Sequence, residues 1–143
     1  MPNHLTEEQK DIRELCRQIS ENEIKPVRAQ LDEEERFPRE CLDKLAESDL
    51  MGVYLPEEYG GFGGGCLELC IAMEEISRVC SAVGVSFAAN ALGSYPILLY
   101  GTEEQKKTYL PSIASGKSLV AFALTEPEAG SDAAGVKTTA VKD

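Results

Sequence analysis

The sequence predicts an all-α fold, because helix caps and 3.6-residue apolar spacing account for most of residues 5–115. Only residues 119–125 have the pattern of a clear strand, and residues 138–141 could begin a second one. A strand without a sheet beside it leaves its backbone groups unpaired. We therefore predict a helical domain over residues 1–117 and the beginning of a truncated β domain over residues 118–143.

The first two helices are predicted from their start signals. Thr6 should be the N-cap of the first helix, with acidic residues following in the first turn, where the helix dipole favours them. Its inner face should consist of four apolar residues at helical spacing, namely Ile12, Leu15, Cys16 and Ile19. Pro26 should kink or end this helix, and Pro38 suits the start of the second. The inner face of the second helix should hold Leu42, Leu45 and Ala46.

Three further helices follow a glycine-rich break. We expect helices over residues 66–80 and 81–100, and another that Thr102 caps and that ends near Gly116. Residues 81–100 contain no Lys, Arg, Asp or Glu, and their small residues recur at three- and four-residue steps. Such a stripe is equally consistent with close helix packing and with a surface that lines a ligand.

Composition limits the classes of protein that this chain can be. Its 143 residues are 43% hydrophobic and 27% charged, which is typical of a globular domain with a core. The net charge of −11 argues against binding to nucleic acid or to an anionic membrane. The sequence indicates neither a stretch of the roughly 18 apolar residues that a membrane span needs nor a signal peptide. The cytoplasm is the expected location.

The titratable side chains predict no metal site. Five cysteines in an odd count, without a C-x-x-C pair, suit reduced thiols. Cys66 and Cys70 should share a helix face as small core residues rather than zinc ligands. The acidic run over residues 32–35 is interpreted as a solvated bend, and the single histidine, His4, receives no role.

The segment ALTEPEAGSDAAG, residues 123–135, carries the strongest functional signal. Pro127 cannot donate a ladder hydrogen bond and should end the preceding strand. Gly130 would allow a close backbone approach to a ligand or a positive φ. Backbone N–H groups and the hydroxyls of Thr125 and Ser131 should therefore lie on one side of a strand end, a surface that suits a flat polar heterocycle.

This segment resembles the first signature of the acyl-CoA dehydrogenases, which are FAD enzymes. Three more segments resemble landmarks of the same family, in the family's order: LPEEYGG at 55–61, MEEISR at 73–78 and GTEEQKKTYLPSIASG at 101–116. The bacterial short-chain, butyryl-CoA type is the nearest in character. The resemblance implies an N-terminal helical domain, then a middle β domain and a C-terminal helical bundle.

The resemblance also implies a reaction. The family oxidises an acyl-CoA, here of short or medium chain length, to the trans-2-enoyl-CoA with hydride transfer to flavin N5. The implied FAD-binding residues are Phe122, Leu124, Thr125, Gly130 and Ser131, and Ser131 would also reach the substrate. The implied acyl-pocket residues are Gly84, Val85, Ala88, Ala89 and Leu92. The expected electron acceptor is electron-transfer flavoprotein, and relatives are usually homotetramers.

No catalytic residue is assigned in this chain. In most family members the base is a glutamate of the C-terminal helical domain, so Glu126 is rejected as the base and Asp132 is interpreted as a turn-capping acid. The 143 residues alone should therefore be inactive. Two alternatives stay open: a flavin acyl-CoA oxidase or monooxygenase of the same fold, and a non-enzymatic helical interaction domain.

Overall fold

Six α-helices make up most of the chain. In the computed structural model, which describes residues 5–141, they are α1 (Glu7–Ile19), α2 (Arg28–Glu33), α3 (Arg39–Glu47), α4 (Cys66–Val79), α5 (Ser81–Tyr100) and α6 (Glu103–Ala114). A π-helical turn, Ser20–Ile24, continues α1, and short 3-10 turns occur at Leu50–Gly52, Glu57–Tyr59 and Ala133–Gly135. The predicted all-α class is confirmed. Helix α2 is not among the helices predicted from the sequence, because six residues are too few to show a clear helical pattern.

Two helices begin with reciprocal capping boxes. The backbone N–H of Gln9 donates to Thr6 Oγ1 at 3.2 Å, and the Thr6 N–H donates to Gln9 Oε1 at 3.0 Å. Thr102 and Gln105 make the same pair of bonds at the start of α6, at 3.3 and 2.8 Å. Each box satisfies two backbone groups that a helix end would otherwise leave unpaired. The predicted N-caps at Thr6 and Thr102 are confirmed.

The core lies where α4 packs between α1 and α5, and where α5 packs on α6. Most of the predicted inner faces are buried, namely Ile12, Cys16, Ile19, Leu42 and Leu45. Leu15 is an exception with 38% exposure, and Ala46 is half-buried. The prediction that Cys66 and Cys70 are core residues is wrong, because both are exposed. The buried side of α4 runs through Ala72, Ile76 and Val79 instead.

An ion pair between a half-exposed arginine and a buried glutamate joins α1 to α4. The carboxylate of Glu75, almost fully buried, accepts two hydrogen bonds from the Arg17 guanidinium, from Nε at 3.1 Å and from Nη2 at 2.7 Å. Arg78 donates to the same carboxylate at 3.2 Å and also contacts Glu21 at 3.0 Å. The bond from Arg17, followed by its charge, lowers the pKa of Glu75. The pair fixes the register between the two helices.

Helix α5 is long and apolar enough, by length and composition, to cross a membrane, contrary to the expectation from sequence that no such segment exists. Core helices of globular proteins also satisfy these criteria. Seven of its residues are buried, and the helix packs against α4 and α6. Packing in the core thus accounts for the apolar residues on the buried side of α5, while Val85, Leu92 and Leu99 on its other side are exposed.

The predicted strand over residues 119–125 and the possible second strand over residues 138–141 form no β-ladder within residues 5–141. A strand needs a neighbouring strand to accept and donate its backbone bonds. The described residues contain no such neighbour, and the one β-type pairing among them is a bridge between Glu126 and Ala129. The acidic run at residues 32–35 lies at the exposed end of α2 and in the turn after it.

Candidate flavin and acyl site

The segment that follows α6 is fixed on α5 at two points. The backbone N–H of Val120 donates to Asn90 Oδ1 at 3.0 Å, and Asn90 is buried within α5. Three residues further along α5, Gly93 packs so closely that a Cβ there would lie 2.9 Å from the backbone of Ala121. The helix therefore determines where the predicted flavin-binding segment begins.

Beyond this anchor, the side chains and the backbone are open to solvent. Phe122 and Leu124 are 45% and 40% exposed, and Thr125 is exposed as well. Among residues 5–141, the backbone N–H groups of residues 121–125 and the hydroxyl of Thr125 have no hydrogen-bonding partner. Free donors beside exposed apolar side chains fit one edge and one face of a flat heterocycle such as a flavin ring. The predicted residues Phe122, Leu124 and Thr125 are thus all accessible to a ligand.

A tight turn follows the exposed stretch. The Glu126 N–H donates to the Ala129 carbonyl at 2.9 Å, the reverse bond is 3.3 Å long, and Ala129 is buried. Gly130 does not have a positive φ, so that part of its predicted role is not seen. Its surroundings are open, since an added Cβ would meet only the Thr125 methyl carbon, at 3.9 Å. The close-approach role of Gly130 is therefore compatible with the structure, and Ser131 beside it is exposed.

The two acidic residues of the loop differ in their surroundings. The Glu126 carboxylate accepts hydrogen bonds from the backbone N–H groups of Lys137 and Thr138, both at 2.9 Å, and from the Thr138 hydroxyl. The bond from Lys137, followed by those from Thr138, lowers the pKa of Glu126. A carboxylate whose lone pairs are occupied and whose pKa is lowered is a poor base. Asp132 precedes a 3-10 turn, but its side chain makes no capping bond there, so the expected capping role is wrong.

Four of the five predicted acyl-pocket residues line one groove. It has a volume of about 370 Å³, and Val85, Ala88, Ala89 and Leu92 form much of its wall. The remaining wall comes from three residues outside the predicted pocket set, namely Leu69, Ala91 and Tyr95. Val85 and Leu92 are 65% and 55% exposed, so a long apolar strip of α5 faces solvent. An apolar chain is the kind of ligand such a strip suits.

Gly84, the fifth predicted pocket residue, faces another helix. A Cβ at Gly84 would lie 2.2 Å from Ser77 Oγ, so this glycine allows α5 to cross α4 closely. The stripe of small residues on α5 therefore contains both of the roles that the sequence left open. Gly84 and Gly93 serve close packing, whereas Ala88 and Ala89 line the groove.

A buried polar network joins Tyr54 to α5 at the anchor. The Tyr54 hydroxyl lies 2.6 Å from Ser94 Oγ and 3.4 Å from the Asn90 carbonyl. Burial raises the pKa of Tyr54 to about 12, so the phenol stays protonated. Sequence reasoning missed these residues. The available signal was the polar side chains of Asn90 and Ser94, four residues apart on one face of a helix without charged residues.

No group of three or more His, Cys, Asp or Glu side chains that could hold a metal ion occurs among residues 5–141. The site thus consists of an open polar segment and an apolar groove, both built on α5. An exposed polar segment suits a flat heterocycle, and an apolar groove suits an apolar chain.

Comparison with known proteins identifies the family of the chain. Residues 6–117 match the family described as "Acyl-CoA dehydrogenase, N-terminal domain". The chain belongs to the acyl-CoA dehydrogenase family.

Similarity to individual proteins agrees with this family assignment. The chain is 48% identical to acryloyl-CoA reductase (NADH) of Anaerotignum propionicum over 97% of its length and 35% of that protein. It is 44% identical to the short-chain-specific acyl-CoA dehydrogenase of Clostridium acetobutylicum over 99% of its length and 38% of that protein. A crystal structure of acyl-CoA dehydrogenase complexed with FAD from Bacillus anthracis matches with a TM-score of 0.86 at 39% identity, covering 95% of this chain and 23% of that one. The chain thus spans little more than a third of the curated relatives it matches.

Proposed function

We propose that this chain is the N-terminal part of an FAD-dependent acyl-CoA dehydrogenase that oxidises a short- or medium-chain acyl-CoA to the trans-2-enoyl-CoA. One observation carries the proposal: the exposed segment 121–131 and the apolar groove are both built on α5. A redox cofactor and its substrate must be held at a fixed distance, and a single rigid helix is a simple way to do so.

The residues have separate tasks in this proposal. The free N–H groups of residues 121–125 and the Thr125 hydroxyl would bind the polar edge of the flavin, with Phe122 and Leu124 packed along it. Gly130 would allow the loop backbone to approach the cofactor, and Ser131 would contact both FAD and the CoA-bearing substrate. When bound, FAD supplies the acceptor for the hydride that leaves the substrate's β-carbon.

The acyl chain would lie along α5. Val85, Ala88, Ala89 and Leu92 offer it an apolar surface without charge. The removal of the α-proton needs a base that this chain does not supply, since Glu126 is engaged with Lys137 and Thr138. The activity would therefore depend on residues outside these 143, and the 143-residue chain alone would be inactive.

The remaining properties follow from the family resemblance and are part of the proposal. The electron acceptor would be electron-transfer flavoprotein, the full-length protein would be a homotetramer, and its location would be cytoplasmic. The family match ends at residue 117, which supports a domain boundary between residues 117 and 118. Gel filtration of the full-length protein tests the oligomeric state directly.

A second candidate function would use the same site for the reverse reaction. The relative that is 48% identical is named an acryloyl-CoA reductase that uses NADH. In that case the groove on α5 would hold a short 2-enoyl-CoA, and its 2,3-double bond would be reduced rather than formed. The apolar groove would suit the acyl chain of either substrate.

Anaerobic mixing of the full-length protein with substrate separates these candidates. A dehydrogenase should be yellow as purified, and butyryl-CoA or octanoyl-CoA should bleach its flavin absorbance. A reductase should consume NADH when a 2-enoyl-CoA such as acryloyl-CoA is added. In a parallel aerobic assay, an oxidase would consume oxygen stoichiometrically with acyl-CoA. Protein without flavin and without any of these reactions would contradict the proposal and favour an interaction domain.

A further inference from the structure

One side chain accepts backbone hydrogen bonds across the loop that carries the proposed flavin contacts. Glu126 lies directly after Thr125, and its carboxylate reaches across the loop to residues 137 and 138. Oε2 accepts the Lys137 N–H at 2.9 Å, while Oε1 accepts the Thr138 N–H at 2.9 Å and the Thr138 hydroxyl. The backbone of Glu126 also pairs with Ala129. Both ends of the 11 residues between Glu126 and Thr138 are thereby held together.

These bonds require a carboxylate. Three donors converge on the two carboxylate oxygens. A glutamine has only one oxygen there, so its N–H₂ group would face at least one of these donors and leave it without an acceptor. Charge also strengthens each bond relative to a neutral acceptor. The other acid beside this contact has a different partner, because Glu128 pairs with Lys137 Nζ at 2.7 Å in full solvent. Glu126 is thus the acid that binds the backbone on the far side of the loop, whereas Glu128 reaches Lys137 only through an exposed side-chain ion pair.

We propose that Glu126 is a positioning residue, which closes the loop over residues 126–138 and so fixes Thr125, Gly130 and Ser131 for the flavin. The inference rests on the proposed function, since it concerns the same cofactor contact. The inference gives a structural role to a carboxylate that takes no part in the catalytic reaction. The Glu126–Thr138 contact orders the binding surface in advance, which lowers the entropy lost when the ligand binds.

FAD titration of the full-length apoprotein tests this assignment. Glu126→Gln should weaken FAD binding about tenfold, because charge-assisted bonds are lost. Thr138→Val should weaken it less, and Thr138→Ser, which keeps the hydroxyl, should restore binding to within about twofold of wild type. The matched control Glu128→Gln should bind FAD as wild type does. The visible circular dichroism of the bound flavin should change in Glu126→Gln and Thr138→Val, while the melting temperature of the apoprotein stays the same.

A double-mutant cycle sharpens the result. If Glu126 and Thr138 act through one contact, the combined variant should lose less affinity than the product of the single losses. Additive losses, or Glu126→Gln binding like Glu128→Gln, would overturn the assignment. In that event Thr125→Val would still weaken FAD binding, and the proposed function would stand. Wild-type protein that binds no FAD would instead contradict the proposed function itself.

Discussion

At the scale of single residues, the Thr125 hydroxyl is the clearest test of the flavin contact. Thr125→Val keeps the shape of the side chain, but removes one hydrogen bond, worth about 0.5–1.5 kcal/mol net. In the full-length protein we expect weaker FAD binding or slower flavin reduction with an unchanged fold. Ser131→Ala should affect both FAD and substrate. Rapid mixing with butyryl-CoA and octanoyl-CoA measures the reduction. If both variants match wild type in FAD content and rate, the 122–131 segment is not the contact.

Glu75 provides a residue-scale prediction about stability. Glu75→Gln removes the buried charge that Arg17 and Arg78 face, and should lower the free energy of unfolding by about 1.5–3 kcal/mol at neutral pH. Urea unfolding of the 143-residue chain measures this difference. Glu14→Gln is the control, since Glu14 is an exposed residue of the same α1 helix that carries Arg17.

The pH dependence of the same pair has a defined sign. The pKa of Glu75 is lowered in the folded state, so the ionised form stabilises the fold above the unfolded pKa. That contribution is lost as the pH falls below about 4.3 toward the folded pKa. The stability gap between wild type and Glu75→Gln should therefore be constant near pH 7 and shrink in acid. A gap that widens below pH 4 would contradict the ion pair.

At the scale of elements, α5 connects the groove to the flavin segment, and Gly93 is the point of contact. Gly93→Ala would place a methyl group 2.9 Å from the Ala121 backbone. Displacement of the segment should cost about 1–3 kcal/mol, as overpacking does. Hydrogen exchange should show a faster amide at Val120, whose bond to Asn90 would lengthen.

Gly130→Ala is the matched control for that substitution. A Cβ at Gly130 has open space around it, so the stability of the flavin-free protein should not change. Protection of the Val120 amide should also stay as in wild type. If Gly93→Ala behaves like Gly130→Ala in both measurements, the 119–121 segment does not pack on α5 in solution.

At the scale of the whole molecule, the 143 residues should fold as helices but hold no cofactor. Far-UV circular dichroism should be dominated by α-helix, as the six α-helices imply. The few loop contacts cannot offset the entropy of immobilising FAD, so the purified chain should be colourless and should oxidise no acyl-CoA. A spectrum dominated by β-structure, or yellow flavin retained through gel filtration, would contradict these expectations.

Local sequence determined most of the helical architecture. Capping threonines, prolines at helix starts and apolar spacing act within a few residues, so Thr6, Pro38 and Thr102 predicted their helix starts correctly. The same locality explains the failure at residues 119–125. An apolar run favours extended backbone, but a strand exists only where another segment supplies partners.

The acyl and flavin surfaces depend partly on contacts that the local sequence does not determine. Helical spacing placed Val85, Ala88, Ala89 and Leu92 on one stripe, and the structure joins them in one groove. Spacing alone gave Gly84 the same role, because it does not say which neighbour a helix face meets. Contacts between distant segments decided the rest: Ser77 against Gly84, Ala121 against Gly93, and Thr138 against Glu126. These contacts join residues 7 to 28 positions apart, and only the packed chain brings them together.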